Sequence, residues 1–242
     1  MNYNFKPKLY NAVTIALISA GFIPTTFAEV NDLDVNNPNG TTITNSATGA
    51  AVDLDNGGSF TVINNGTISA SATNNAYGVN ADNSTTITTL SNTKNITATA
   101  SNSNGNGIGI GASTLTSLTN SGTISGTAAN DIGRGFTLVA GGTITNLTNS
   151  GTISGTAGDD NGNGVYVSSS STLTNLTNSG TISGTSVDDF GFGVYVSSTS
   201  TLTNLTNSGT ISATAGGDNG YGIQVKIAST LTNLTNSGTI SG

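Results

Sequence analysis

The chain has 242 residues, of which only 7% are charged, and it contains neither cysteine nor histidine, so disulfide stapling and a histidine base are both excluded. A formal charge of −7 argues against nucleic acid as a partner. Few charges together with a mean hydropathy of −0.02 do not match the profile of intrinsic disorder.

Read from the N-terminus, Lys6 and Lys8 precede an apolar stretch at residues 12–23, and Thr26-Phe27-Ala28 follows as a cleavage motif. This order predicts a secretory signal over residues 1–28, cut after Ala28. The apolar stretch is shorter than the roughly 20 residues that a spanning helix needs. After cleavage, Lys94, Arg134 and Lys226 face all twelve acidic residues, a net charge of −9.

Residues 29–63 read as a degenerate capping coil, and residues 64–242 as a repeat array. Asn-Ser-Gly-Thr-Ile-Ser begins at Asn120, Asn149, Asn178, Asn207 and, to the end of the chain, Asn236, always 29 residues apart. Weaker copies start at Asn64 and Asn92, with steps of 28. Within residues 164–184, turn residues separate three extended runs. Val165 and Val167 share one face of the first, leaving Tyr166 outward. Leu173 and Leu176 are three apart, so a corner between them is required for both to point inward. Ile182 completes five inward aliphatics. Recurring glycine and β-branched residues disfavour helix.

Five aliphatics cannot offset the ordering of a whole coil, so a single coil is unstable and stacking must supply the rest. The expected fold is all-β: a single-stranded parallel β-helix, or solenoid, of about seven 28–29-residue coils. Stacking also aligns Asn149, Asn178 and Asn207 into an amide ladder lining a turn. The glycine column Gly133, Gly162, Gly191 and Gly220 reads as turn geometry; without a following helix or lysine it is not a phosphate loop.

The segment Leu-Thr-Asn-Leu-Thr-Asn-Ser-Gly-Thr-Ile-Ser-Gly at residues 173–184, preceded by Gly-x-Gly-Val-Tyr-Val, resembles the repeats of autotransporter passenger regions and other adhesins of Gram-negative bacteria. The resemblance covers residues 64–242. It implies a right-handed β-helix exported through the inner membrane and displayed at the cell surface or released. It also implies attachment to the outer membrane by a C-terminal β-barrel, which these 242 residues lack. The array stops inside a repeat, so the expectation is a piece of a longer protein.

Candidate binding residues lie where the copies differ. The residue between the paired glycines runs through Arg134, Asn163, Phe192 and Tyr221, and the loop before it also varies. This rim is expected to be the recognition surface for receptors or glycans of a host or neighbouring cell, with self-association through exposed strand edges as a further expectation. Asp131, Asp160, Asp189 and Asp218 recur at one phase and would repel when stacked. Calcium between coils would offset this, as would simple turn capping. The Thr-x-Thr runs at Thr143, Thr172, Thr201 and Thr230 would form two outward hydroxyl columns, as in ice-binding solenoids. A polysaccharide-active enzyme is the weakest expectation, since identical repetition of the aspartates argues for structure over a unique catalytic site. No catalytic residues and no obligate cofactor are assigned.

Overall fold

The computed structural model describes residues 26–27, 30–45, 49–226 and 228–242. Among these residues every regular element is a β-strand, and the strands form three sheets of nine, eight and eight members. One coil shows the plan. Gly162–Val167, Thr172–Asn178 and Thr181–Ser186 each belong to a different sheet, here called the valine, leucine and isoleucine sheets. Each strand pairs in parallel with the equivalent strand one coil on: Val165 with Val194, Leu173 with Leu202, and Ile182 with Ile211. The protein is therefore a parallel β-solenoid with 29-residue turns in its regular part.

Seven regular coils, beginning at Gly49–Leu54, stand on a shortened first coil made of Val30–Asn31, Val35–Asn37 and Thr42–Asn45. Regular stacking thus begins before the first repeat motif at Asn64. Val52 and Leu54 supply the inward alternation there without the motif, and both are fully buried. Thr26 and Phe27 pair with Thr42 and Ile43 at the edge of the isoleucine sheet. The rest of the predicted signal, including Lys6, Lys8, residues 12–23 and Ala28, lies outside the described residues.

The five predicted inward positions are all core. Val165, Val167, Leu173, Leu176 and Ile182 are each no more than 1% exposed, and their columns fuse into one cluster running from Val30 to Ile211. Burial of such a column is the main favourable term in a solenoid, because each coil shields its neighbours. Leu173 and Leu176 face inward without a break in the strand. Thr174 drops out of the pairing register, so Thr174 and Asn175 both face outward and the strand kinks within its length. The valine strand kinks in the opposite sense at Gly164, where a side chain would strike Ile182 in the core. Asn163 and Tyr166 therefore flank two successive inward positions and both face out.

The glycine column has a different cause from the one expected. The φ angles of Gly133, Gly162, Gly191 and Gly220 lie outside the left-handed region. Left-handed residues sit instead at the turn between the valine and leucine sheets, among them Ala140, Gly141, Ser169, Ser170, Ser198 and Thr199. Gly162 is needed because the valine and isoleucine sheets converge: a Cβ there would lie 1.9 Å from the Thr185 carbonyl oxygen, and one on Gly184 would lie 2.0 Å from that of Phe192. The rod tapers at this edge until backbone meets backbone.

Asparagine fills the corner between the leucine and isoleucine sheets. Asn178 is fully buried; its Nδ2 donates to Asn207 Oδ1 at 2.7 Å, to the Thr210 carbonyl at 3.0 Å and to the Gly180 carbonyl at 3.2 Å. The same chain of amides runs from Asn37 through Asn64, Asn92, Asn120 and Asn149 to Asn236. At the first rung among the described residues the Asn37 oxygen accepts from the Thr41 hydroxyl. The amide ladder expected from the sequence is present: each asparagine bonds across the bend that follows it and is at the same time buried.

Candidate functional site

Two outward columns run along the valine sheet. The first comprises Tyr77, Asn106, Arg134, Asn163, Phe192 and Tyr221 in register. In the second, Thr137, Tyr166, Tyr195 and Gln224 follow one another. Tyr166 and Tyr195 face outward because Val165, Val167, Val194 and Val196 on either side of them point into the core. The kink at the second glycine of each pair brings the first column onto the same side.

The rings pack into one cluster spanning several coils. Tyr166 and Tyr195 lie 5.5 Å apart between centroids, and Phe192 stacks on Tyr195 at 4.4 Å and 15°. Phe192 also stacks on Tyr221 at 5.7 Å and 9°, while Phe190 from the preceding loop covers both. Such pairs add stabilisation beyond simple burial. Cations close the two ends: the Arg134 guanidinium sits 4.6 Å over Tyr166 and Lys226 Nζ lies 5.7 Å over Tyr195.

The four rim residues expected at Arg134, Asn163, Phe192 and Tyr221 are therefore brought together, but not as a free loop. Asn163 and Phe192 are 1% and 3% exposed, covered by the stack itself, and Arg134 and Tyr221 are half-buried. Sequence reading missed Tyr166, Tyr195 and Lys226 as members. The signal was present, since Tyr166 and Tyr195 stand 29 residues apart.

The electrostatics of this face are unusual for so acidic a chain. Burial pulls the Arg134 pKa below its ordinary value, against the opposing pull of Tyr166, Tyr77, Asp131 and Asp160. Its one hydrogen bond is long, 3.4 Å from Nη1 to Asn104 Oδ1, and its Nε has no partner. Asn161 Oδ1, Asn163 Oδ1 and Gln224 Oε1 are likewise buried and unpaired.

The aspartate column lines the adjacent edge. Burial, and then hydrogen bonding to Asp218 and the charge of Asp160, raise the Asp189 pKa above the ordinary value. Asp160 accepts from the Asn161 backbone at 2.7 Å, and the Asp189 amide donates to Ser186 Oγ at 2.9 Å. Among the described residues no three acidic side chains are grouped so as to hold a metal ion, so the geometry lends the calcium expectation for Asp131, Asp160, Asp189 and Asp218 no support.

Searches with this chain found no matching protein-family model, no matching curated protein and no matching solved structure. The reading of the site rests on its own geometry.

The leucine sheet presents the other candidate surface. Thr114, Thr143, Thr172, Thr201 and Thr230 align in register. Beside them Asn146, Asn175, Asn204 and Asn233 form a second, solvent-facing amide ladder, with Nδ2 to Oδ1 distances of 2.8 to 2.9 Å. Among the described residues no helix is long and apolar enough to cross a membrane.

Proposed function

We propose that this chain is an exported, adhesin-like stalk of a bacterial surface: a non-catalytic rod that holds a binding face away from the cell. The observation that carries this is the aromatic and cationic cluster on the valine sheet, the one outer face where equivalent positions differ strongly in chemistry from coil to coil. The leucine and isoleucine faces repeat threonine, serine and asparagine, as a scaffold would. Export rests on the N-terminal order of Lys6, Lys8, the apolar residues 12–23 and Thr26-Phe27-Ala28. Contacts along a rod are individually weak and gain strength by multivalency.

Beads coated with the full chain and presented to host-cell monolayers or neighbouring bacteria test the reading. Tyr195→Ala should reduce bead attachment at least tenfold, whereas Thr203→Ala on the leucine face should leave it unchanged. Equal attachment by both variants would remove the valine face from the function.

A second reading has one specific observation in its favour. The in-register threonines of the leucine sheet form a flat hydroxyl array suited to ordered water, as an ice-binding protein requires. Thermal hysteresis measured on the full chain, and its loss in Thr172→Tyr, would favour this reading over adhesion.

A further inference from the structure

We propose that the valine-sheet face from Arg134 to Gln224 binds neutral hexose glycans, with the sugar rings lying flat on Tyr166, Tyr195 and Tyr221. This rests on the reading of that face as the adhesive surface and names its ligand class. Tyr166, Tyr195 and Tyr221 are each half-exposed, so ring surface remains open after the cluster has packed. A pyranose offers a matching face of C–H groups, weakly positive, that sits on the negative face of an aromatic ring.

The polar atoms around the rings supply the second argument. Arg134 Nε is an unpaired donor and Gln224 Oε1 an unpaired acceptor. Arg134 sits over Tyr166 and Gln224 pairs in register with Tyr195, so both border the stack. Buried polar groups left without partners are costly and call for a complement. Hydroxyls both donate and accept, so a polyol satisfies such a mixed set where a purely donating or purely accepting ligand does not. Arg134 and Gln224 are long, half-buried side chains at the margin of the stack.

Charge selects the neutral class. Asp160, Asp189 and Asp218 line the adjoining edge, and the chain carries a net charge of −7. A polyanionic glycan would meet that field, whereas neutral hydroxyls can donate to the same carboxylates.

Isothermal titration calorimetry of the full chain with cellohexaose, mannohexaose and polygalacturonate provides the test. The expected result is binding of at least one neutral hexasaccharide that varies little with salt and weakens tenfold or more in both Tyr166→Ala and Tyr195→Ala. Circular dichroism checks that each variant keeps its β signature. Arg134→Lys, which keeps the charge but removes Nε, should weaken binding without affecting the fold. Binding confined to polygalacturonate and abolished by salt would overturn the neutral assignment. Undiminished binding by both tyrosine variants would overturn the location. No binding to any of the three, while Tyr195→Ala still abolishes bead attachment to cells, would overturn the glycan proposal and leave the adhesive reading standing.

Discussion

At Asp189, two neighbouring coils press like charges onto one carboxyl. Its pKa is raised first by burial and then by Asp218 and Asp160, and burial with the charges of Asp53, Asp55 and Asp32 raises Asp82 in the same direction. The folded rod therefore binds these protons more tightly than the unfolded chain does. Stability should fall as pH rises from the ordinary aspartate value of 3.8 through the raised value in the fold, and be recovered on acidification through the same window. Melting temperatures across that range should show a gain on acidification that is smaller in Asp189→Asn. A rise in stability with increasing pH would contradict the stacked carboxylates. Among the described residues no three acidic side chains are grouped to hold a metal ion, so millimolar calcium should leave the melting temperature unchanged. Alternation of apolar and polar residues made the inward valines, leucines and Ile182 legible in the sequence. The burial of Asn178 and Phe192 was not legible, because asparagine at a turn and a ring between glycines both read as exposed until neighbouring coils cover them.

At the scale of a strand and its corners, the coil depends on two devices. One is the amide ladder. Asn178→Ala would leave Asn207 Oδ1 without its partner and take one of three acceptors from Asn149 Nδ2, which keeps the Gly151 and Thr181 carbonyls. One orphaned acceptor should cost about 1 to 3 kcal/mol, with hydrogen exchange accelerated most in the adjoining coils. The other device is the convergence of the valine and isoleucine sheets. Gly162→Ala would drive a methyl into the Thr185 backbone and should cost about 3 kcal/mol or more by chemical denaturation. A cost below about 0.5 kcal/mol, the range of an ordinary surface change, would mean that the two sheets are not in contact there. The glycines were visible in the sequence, but their reason was not. A turn and a tight backbone approach select the same residue, and only the three-dimensional path distinguishes them. Likewise the spacing of Leu173 and Leu176 demanded a bend, yet did not reveal that the strand would absorb it by turning Thr174 and Asn175 outward together.

Over the whole molecule, the 29-residue step made the solenoid legible before any side chain was placed. The aromatic cluster was harder to see, because its members come from successive coils and meet only when the copies are superposed in register. The same superposition sets the rod's dimensions: strands separated by about 4.8 Å per coil give a height of roughly 34 Å from the first coil to the last. Because the chain has no cysteine, a pair introduced at Thr114 and Thr230 can be spin-labelled without interference. Both residues are exposed and stand in one column of the leucine sheet, four coil steps apart. Double electron–electron resonance between them should give a narrow distribution near about 19 Å, allowing for the label linkers. A broad distribution centred near 60 Å, the span of a flexible chain of that length, would contradict in-register stacking and with it every surface assigned to the rod.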